Sequence, residues 1–247
     1  MRNAIPCSFG FLPIVIKGDN SGWFSGGTME RIDLRIQQLS RLYELYDRFI
    51  GATEFVCHRG CSVCCTCNVT LTSLEVDYIR YRLGPRGTEL VMERVTNNLS
   101  PQRFQPGTTL NGFARACMEG CEMQDEENDP GWGSCPLLSN GMCTIYPVRP
   151  FGCRSLNSME DCAVNGAAII SPFTLTVNNV FMQYIEHMDC NGVSGNLSDM
   201  FLVLAGDNLP VFPITIKNQR LEGVMVPPEH RQRVGPLLQE IMAVGSR

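Results

Sequence analysis

Apolar residues recur at three- and four-residue intervals from Ile32 to Phe49: Ile32, Ile36, Leu39, Leu42 (or Tyr43), Tyr46 and Phe49 fall on one stripe. That period is helical, and a stripe this long predicts a helix packing one face against the core. Thr28 is placed to cap its start, Glu30 sits where the helix dipole favours an acid, and Gly51 is a stop. Further on, Thr72 followed by Glu75 reads as a capping box, predicting a helix from there to about Leu83, where Gly84-Pro85 ends it. A second helix is expected from about Thr88 to Asn98, then a loop from Pro101 to Leu110. Asn111 to Glu127 carries Cys117 and Cys121 at a spacing that puts both on one helix face.

The pattern becomes strand-like at Phe173-Thr-Leu-Thr-Val177, and helices are expected from about Val180 to Cys190, Leu197 to Ala205 and Leu237 to Val244. Pro227-Pro228 reads as a helix start. Two β-branched strings, Leu12-Pro-Ile-Val-Ile-Lys17 and Phe212-Pro-Ile-Thr-Ile-Lys217, match in kind and are expected to pair. The fold expected is α+β: a mainly helical single domain spanning 1–247, with a small terminal sheet. Its core, about 50–156, carries the cysteine site, and the two ends pack on it.

Composition narrows the function. With 44% apolar and 18% charged residues the chain is globular, and a net charge of −5 without Lys or Arg runs argues against a nucleic-acid partner. No apolar stretch approaches the ~20 residues of a membrane span. The apolar run Ala4 to Ile16 meets Lys17-Gly18-Asp19-Asn20 rather than a small-residue cleavage site, so a cytoplasmic location is expected.

Thirteen cysteines change the picture most. Five fall in Cys57-His-Arg-Gly-Cys61-Ser-Val-Cys64-Cys65-Thr-Cys67, and a second group follows as Cys135-Pro-Leu-Leu and Cys143-Thr-Ile-Tyr-Pro-Val-Arg-Pro-Phe-Gly-Cys153-Arg154. An odd count, a chain long enough to fold without staples and no export signal argue against a disulfide framework. Thiolate ligation of a soft or borderline metal explains the grouping better, because short spacings let one loop wrap a metal while distant cysteines complete its shell. The number of sulfurs exceeds one four-ligand site, so Cys67, Cys117, Cys121, Cys162 and Cys190 stay open as further ligands. His58 lies inside the first group, as ligand, neighbouring donor or exposed loop residue. His187 and Cys190 lie a helical turn apart, which permits joint ligation. Arg149 and Arg154 flank the second group, either donating to a sulfur centre or pinning the loop in a salt bridge.

These motifs resemble the YkgJ-type cysteine-cluster family, described as a zinc- or iron-chelating domain. The resemblance rests on Cys57-x3-Cys61-x2-Cys64-Cys65, on the helix start Leu71-Thr-Ser-Leu-Glu75, and on Cys135-Pro-Leu-Leu with Gly141-x-Cys143-x-Ile145-Tyr146-x-x-Arg149-Pro150-x-x-Cys153-Arg154. It covers roughly residues 50 to 156 and implies that Cys57, Cys61, Cys64, Cys65, Cys135, Cys143 and Cys153 are the metal ligands. A crowded, odd set with Gly and Arg neighbours favours an iron–sulfur cluster, of the 4Fe-4S kind, over zinc. The function expected is electron transfer, or an accessory role to an enzyme, with a protein partner. The alternatives are a zinc-stabilised interaction module, and a metalloenzyme with an open metal position, since Cys57-x3-Cys61-x2-Cys64 also matches the radical-SAM spacing. A thiol redox pair at Cys61 and Cys64 would leave the other sulfurs unexplained. No P-loop, dinucleotide fingerprint or Ser/His/Asp order is present.

Overall fold

The stripe that begins near Ile32 folds as the helix α1, Thr28–Gly51, in a computed structural model that describes residues 28–121, 123–203 and 213–245. Ile36, Leu39, Leu42, Tyr43, Leu45 and Tyr46 are buried, while Ile32 stays largely in solvent. The expected strand Leu12–Lys17, and with it the pairing of the two similar strings, lies outside the described residues.

A short strand, β1 (Thr70–Thr72), runs straight into α2 (Ser73–Asn97), and the Thr72–Glu75 capping box forms as expected. Gly84 breaks this helix with φ 66°, a conformation that costs a residue without Cβ least. The helix resumes at once at Pro85 rather than at Thr88, because proline's missing N–H costs nothing in a first turn.

The helix α3 is shorter than its pattern suggested, Leu110–Met118, so Cys121 falls beyond its end and is exposed. Cys117 and Cys121 do not share a helix face. The acidic stretch that follows is an irregular and mostly exposed loop. Next come the hairpin β2 (Leu138–Ser139) and β3 (Met142–Cys143), then the short helices α4 (Phe151–Arg154) and α5 (Cys162–Asn165).

The strand expected at Phe173–Val177 is instead the opening of the helix α6, Pro172–Met188. Ser171 caps it by accepting from Thr174 N, and Pro172 takes the first helical position. The strand-like alternation misled because α6 is buried on most sides, including Thr174, Thr176 and Val177, so apolar residues carry no single-face signal. After it come β4 (Val193–Asn196), α7 (Leu197–Leu202), β5 (Thr215–Lys217) and α8 (Arg231–Gly245). The Pro227-Pro228 signal leads into a 3-10 turn, Pro228–His230, and α8 begins directly after it, earlier than Leu237.

The fold is therefore mainly helical α+β. Its three-stranded antiparallel sheet has β4 in the middle, with Leu71 of β1 and Thr215 of β5 both opposite Gly195. One apolar core joins α1, α2, α6, α7 and α8, with Phe151 of α4 stacked on Phe181 at 5.6 Å between ring centres. The cysteine loops lie against this core through Leu137, Ile145, Val148 and Phe151.

Candidate metal centre

The first cysteine loop is wound by two tight turns, Cys61 N to His58 O at 3.1 Å and Cys65 N to Ser62 O at 3.0 Å. Its far end pairs directly with the second group. Thr66 bridges Ser134, Cys67 N donates to Gly133 O at 2.9 Å, and Cys135 N donates to Cys65 O at 2.9 Å. Backbone pairing of two irregular segments thus places Cys65 beside Cys135.

The hairpin brings in Cys143. Its two-residue turn is Asn140-Gly141, with φ 51° and 72°, the left-handed pair that a tight hairpin requires. The register sets Leu138 opposite Cys143, and Leu138 N turns back to Cys135 O at 3.0 Å. Cys153 arrives on α4, whose first N–H, that of Phe151, is capped by Glu75 Oε1 at 2.7 Å. The same carboxylate accepts from Tyr43 Oη at 2.9 Å and from Thr72 N at 2.8 Å. Burial holds Glu75 above the usual carboxylate range, against the donors around it. One acid therefore fixes the start of α2 and the turn that carries Cys153. Gly152 completes the fit: a Cβ there would lie 3.1 Å from the Thr70 carbonyl of β1.

The sulfurs act on one another electrostatically. Cys65 lies within reach of Cys153, Cys135 and Cys143, while Cys57 lies within reach of Cys162, Cys64 and Cys61. Burial pushes the thiols of Cys57, Cys143 and Cys153 up, and that of Cys135 up to about 11. The Cys64 thiol donates to the Cys65 sulfur, which raises Cys64 and lowers Cys65. Lone thiolates are unfavourable at Cys57, Cys135, Cys143 and Cys153, so ionisation there needs a nearby cation.

Among the described residues, one arginine acts on thiols of both cysteine groups. Arg149 acts on Cys64, Cys143 and Cys153, stacks on Tyr146 at 4.1 Å, and has a buried Nε without a hydrogen-bond partner. Arg154 also stacks on a tyrosine, but its guanidinium is fully engaged by the protein. It donates to the carbonyls of Arg149 and Pro147, each at 3.0 Å, reaches Asp47 at 3.4 Å, and lies 4.3 Å over the Tyr43 ring. The two roles weighed for these arginines are thus divided: Arg154 pins the loop, and Arg149 faces the thiols.

The remaining sequence candidates separate cleanly. Cys67 is buried, with its thiol directed to Gln102 O at 3.5 Å, a local backbone contact beside Cys135. Cys117 is disulfide-bonded, and Cys121 is exposed. His58 is exposed, with its ring against Val56 O at 3.1 Å. His187 accepts from Leu221 N through Nδ1 at 3.2 Å, so that nitrogen closes the end of α6 and is not left for joint ligation with Cys190. Cys162 is buried beside Cys57; its distance in sequence from both groups gave no sign of this. The Asn-Gly turn that sets Cys143 was a signal the sequence did carry.

Among the described residues, no group of three or more His, Cys, Asp or Glu side chains is already drawn into metal-binding geometry. Among them, too, no helix is long and apolar enough to cross a membrane. No protein-family model, curated protein or solved structure matches the chain.

Proposed function

We propose that the convergent thiols bind a soft metal centre, an iron–sulfur cluster of the 4Fe-4S kind, and that the protein transfers electrons to, or assists, a protein partner. The observation that carries this reading is the buried, unpartnered Nε of Arg149 among thiols that burial keeps from ionising alone. Buried polar atoms of folded proteins almost always have partners, and neutral thiols are poor acceptors for a guanidinium. A centre of thiolates and sulfides supplies the missing acceptor, while its metal supplies the positive charge that the thiolates need.

The donor set suits such a group: free thiols, at least the four that one cluster takes, carried on two backbone-paired loops. When bound, a cluster supplies reversible one-electron chemistry. The chain's own residues hold and insulate it. Cys57, Cys61, Cys64, Cys65, Cys135, Cys143 and Cys153 would ligate, Arg149 would donate to sulfur, and Leu137, Ile145 and Phe151 exclude water from the inner side. The cysteine spacing shared with the YkgJ-type family supports the same reading. Val56, Val63, Met142, Met159 and Ile169, exposed apolar residues on or beside the thiol-bearing loops, support a protein partner docking close to the centre. A ligand set of free thiols suits a reducing compartment, the cytoplasm, and the disulfide at Cys117 stands outside that set.

The test is anaerobic purification of the full chain, followed by iron, zinc and acid-labile sulfide analysis with a visible spectrum. A brown protein with about four irons and four sulfides per cluster is expected. A colourless protein holding stoichiometric zinc would overturn the redox assignment and leave the zinc-stabilised interaction module in its place. Because burial favours the protonated thiols of Cys57, Cys135, Cys143 and Cys153, loading should release protons, and metal should be lost as pH falls.

A further inference from the structure

At this end of the molecule the backbone sorts the thiols into two sides. Cys65 belongs to the side of the hairpin and α4, since its carbonyl accepts from Cys135 N. On the other side Ser158, fully buried, clasps Cys57 to the loop that carries Cys162. Its N–H donates to Cys57 Sγ at 3.1 Å and its carbonyl accepts from Val56 N at 3.0 Å. Its hydroxyl donates at 2.6 Å to Glu160 O, the carbonyl that the Cys162 thiol faces at 4.0 Å. Asp161 caps α5 by accepting from Ala163 N at 2.8 Å, which fixes Cys162 as the first residue of that helix. A backbone N–H donated to sulfur is also the contact that orients a metal-bound thiolate.

We propose that Cys57, Cys61, Cys64 and Cys162 form a second four-thiolate metal centre beside one made by Cys65, Cys135, Cys143 and Cys153. The consecutive residues Cys64 and Cys65 then serve opposite centres. This inference rests on the reading of the thiols as metal ligands. It adds Cys162, which lies outside the spacing motifs, and it assigns eight of the nine free thiols at this end to four-ligand sets, leaving only Cys67, which turns to Gln102 O, where a single site would leave five. Cys57 lies among Cys162, Cys64 and Cys61, and Cys65 among Cys153, Cys135 and Cys143, while Cys64 also reaches Cys65 and Cys153 and so stands where the two sets meet. The occupant of each set is a soft or borderline metal, as a single ion or a cluster.

The experiment titrates the full-length, metal-free chain with cadmium under anaerobic conditions and reads bound metal and cadmium NMR resonances. The wild-type protein should bind about two ions in two distinct all-sulfur environments, one per set of four thiolates. Cys162→Ala should lose one resonance and about half the metal, and Cys153→Ala should lose the other resonance instead. The unmodified chain alone decides the question if a variant fails to fold, because it shows two environments or one. A single environment that survives Cys162→Ala and disappears with Cys153→Ala would overturn the second centre and leave the proposed function standing. No tight cadmium binding by the wild-type protein would overturn both.

Discussion

The two ends of the buried interior treat charge differently. At the end of α6, Asp189 accepts from Arg35, from Ser73 Oγ at 2.5 Å, from Leu74 N at 3.0 Å and from Asn218 Nδ2 at 3.0 Å. Glu186 takes Asn111 N and Gln219 N, each at 2.8 Å, and Asp199 forms a two-pronged pair with Arg103 in which both side chains are buried. These carboxylates tie α1, α2, α7 and the sheet together, and their hydrogen-bonding capacity is spent within the fold. At the cysteine loops the fold itself is just as well tied, through Glu75, Arg154 and Ser158. Yet the Arg149 Nε, set among the thiols, is buried without a hydrogen-bond partner. Carboxylates whose donors all come from within the fold hold structure; a buried guanidinium nitrogen left without an acceptor among thiols suits a group brought from outside.

The largest expected effect comes from breaking the complete region. Asp199→Ala leaves the Arg103 guanidinium buried and unpaired, and should cost about 3–5 kcal/mol in denaturant unfolding. Metal bound per folded molecule should not change. If the metal is lost with the pair intact elsewhere, the two regions are not separable in the way described.

Next in size is the pair of arginines, which sharpens the comparison within a single loop. Arg149→Leu should weaken metal binding by about 10–100-fold and shift the centre's reduction potential, while the metal-free protein keeps its stability. Arg154→Leu should do the reverse, with about 1–3 kcal/mol lost from the metal-free fold as its carbonyl acceptors go unpaired. Equal effects of both on unfolding, and of neither on metal, would remove the distinction.

The smallest effect is a difference in sign. Burial holds Glu75 and Glu186 above the ordinary carboxylate value, so in the window above that value the folded chain binds more protons than the unfolded one. In the metal-free protein, stability should therefore fall as pH rises through this window and recover as pH drops back. The loaded protein should slope the other way, losing its metal-derived stability in acid as protons compete for the thiolates. Thermal unfolding of both forms between pH 7 and pH 5 checks this. Parallel slopes would count against a thiolate-bound metal.

Local signals were the legible part. The α1 stripe, the Thr72–Glu75 box and the break at Gly84 each depend on residues a turn or two apart, and each appears in the structure. The two cysteine groups were legible as groups because sulfurs so closely spaced have few other uses. What the sequence did not show depends on distance or on burial from several sides. Phe173–Val177 looked like a strand because a helix enclosed all round has no polar face. The second role of Glu75, capping α4 from across the core, has no local trace at all. Nor does the meeting of Cys162 with Cys57, which is made through Ser158.

The capping of α4 by Glu75 has a consequence for synthesis. The first cysteine loop leaves the ribosome well before Cys153, and at ~5–20 residues per second its thiols wait on the order of ten seconds for their partners. During that time Tyr43 and Thr72 can already hold the Glu75 carboxylate, but the turn carrying Cys153 cannot dock until Phe151 presents its N–H. A metal donor that acted too early would find only the first loop and its adjacent sulfurs. The contact between Glu75 and Phe151 can therefore form, and complete the proposed ligand set, before α6, α7 and α8 have been made.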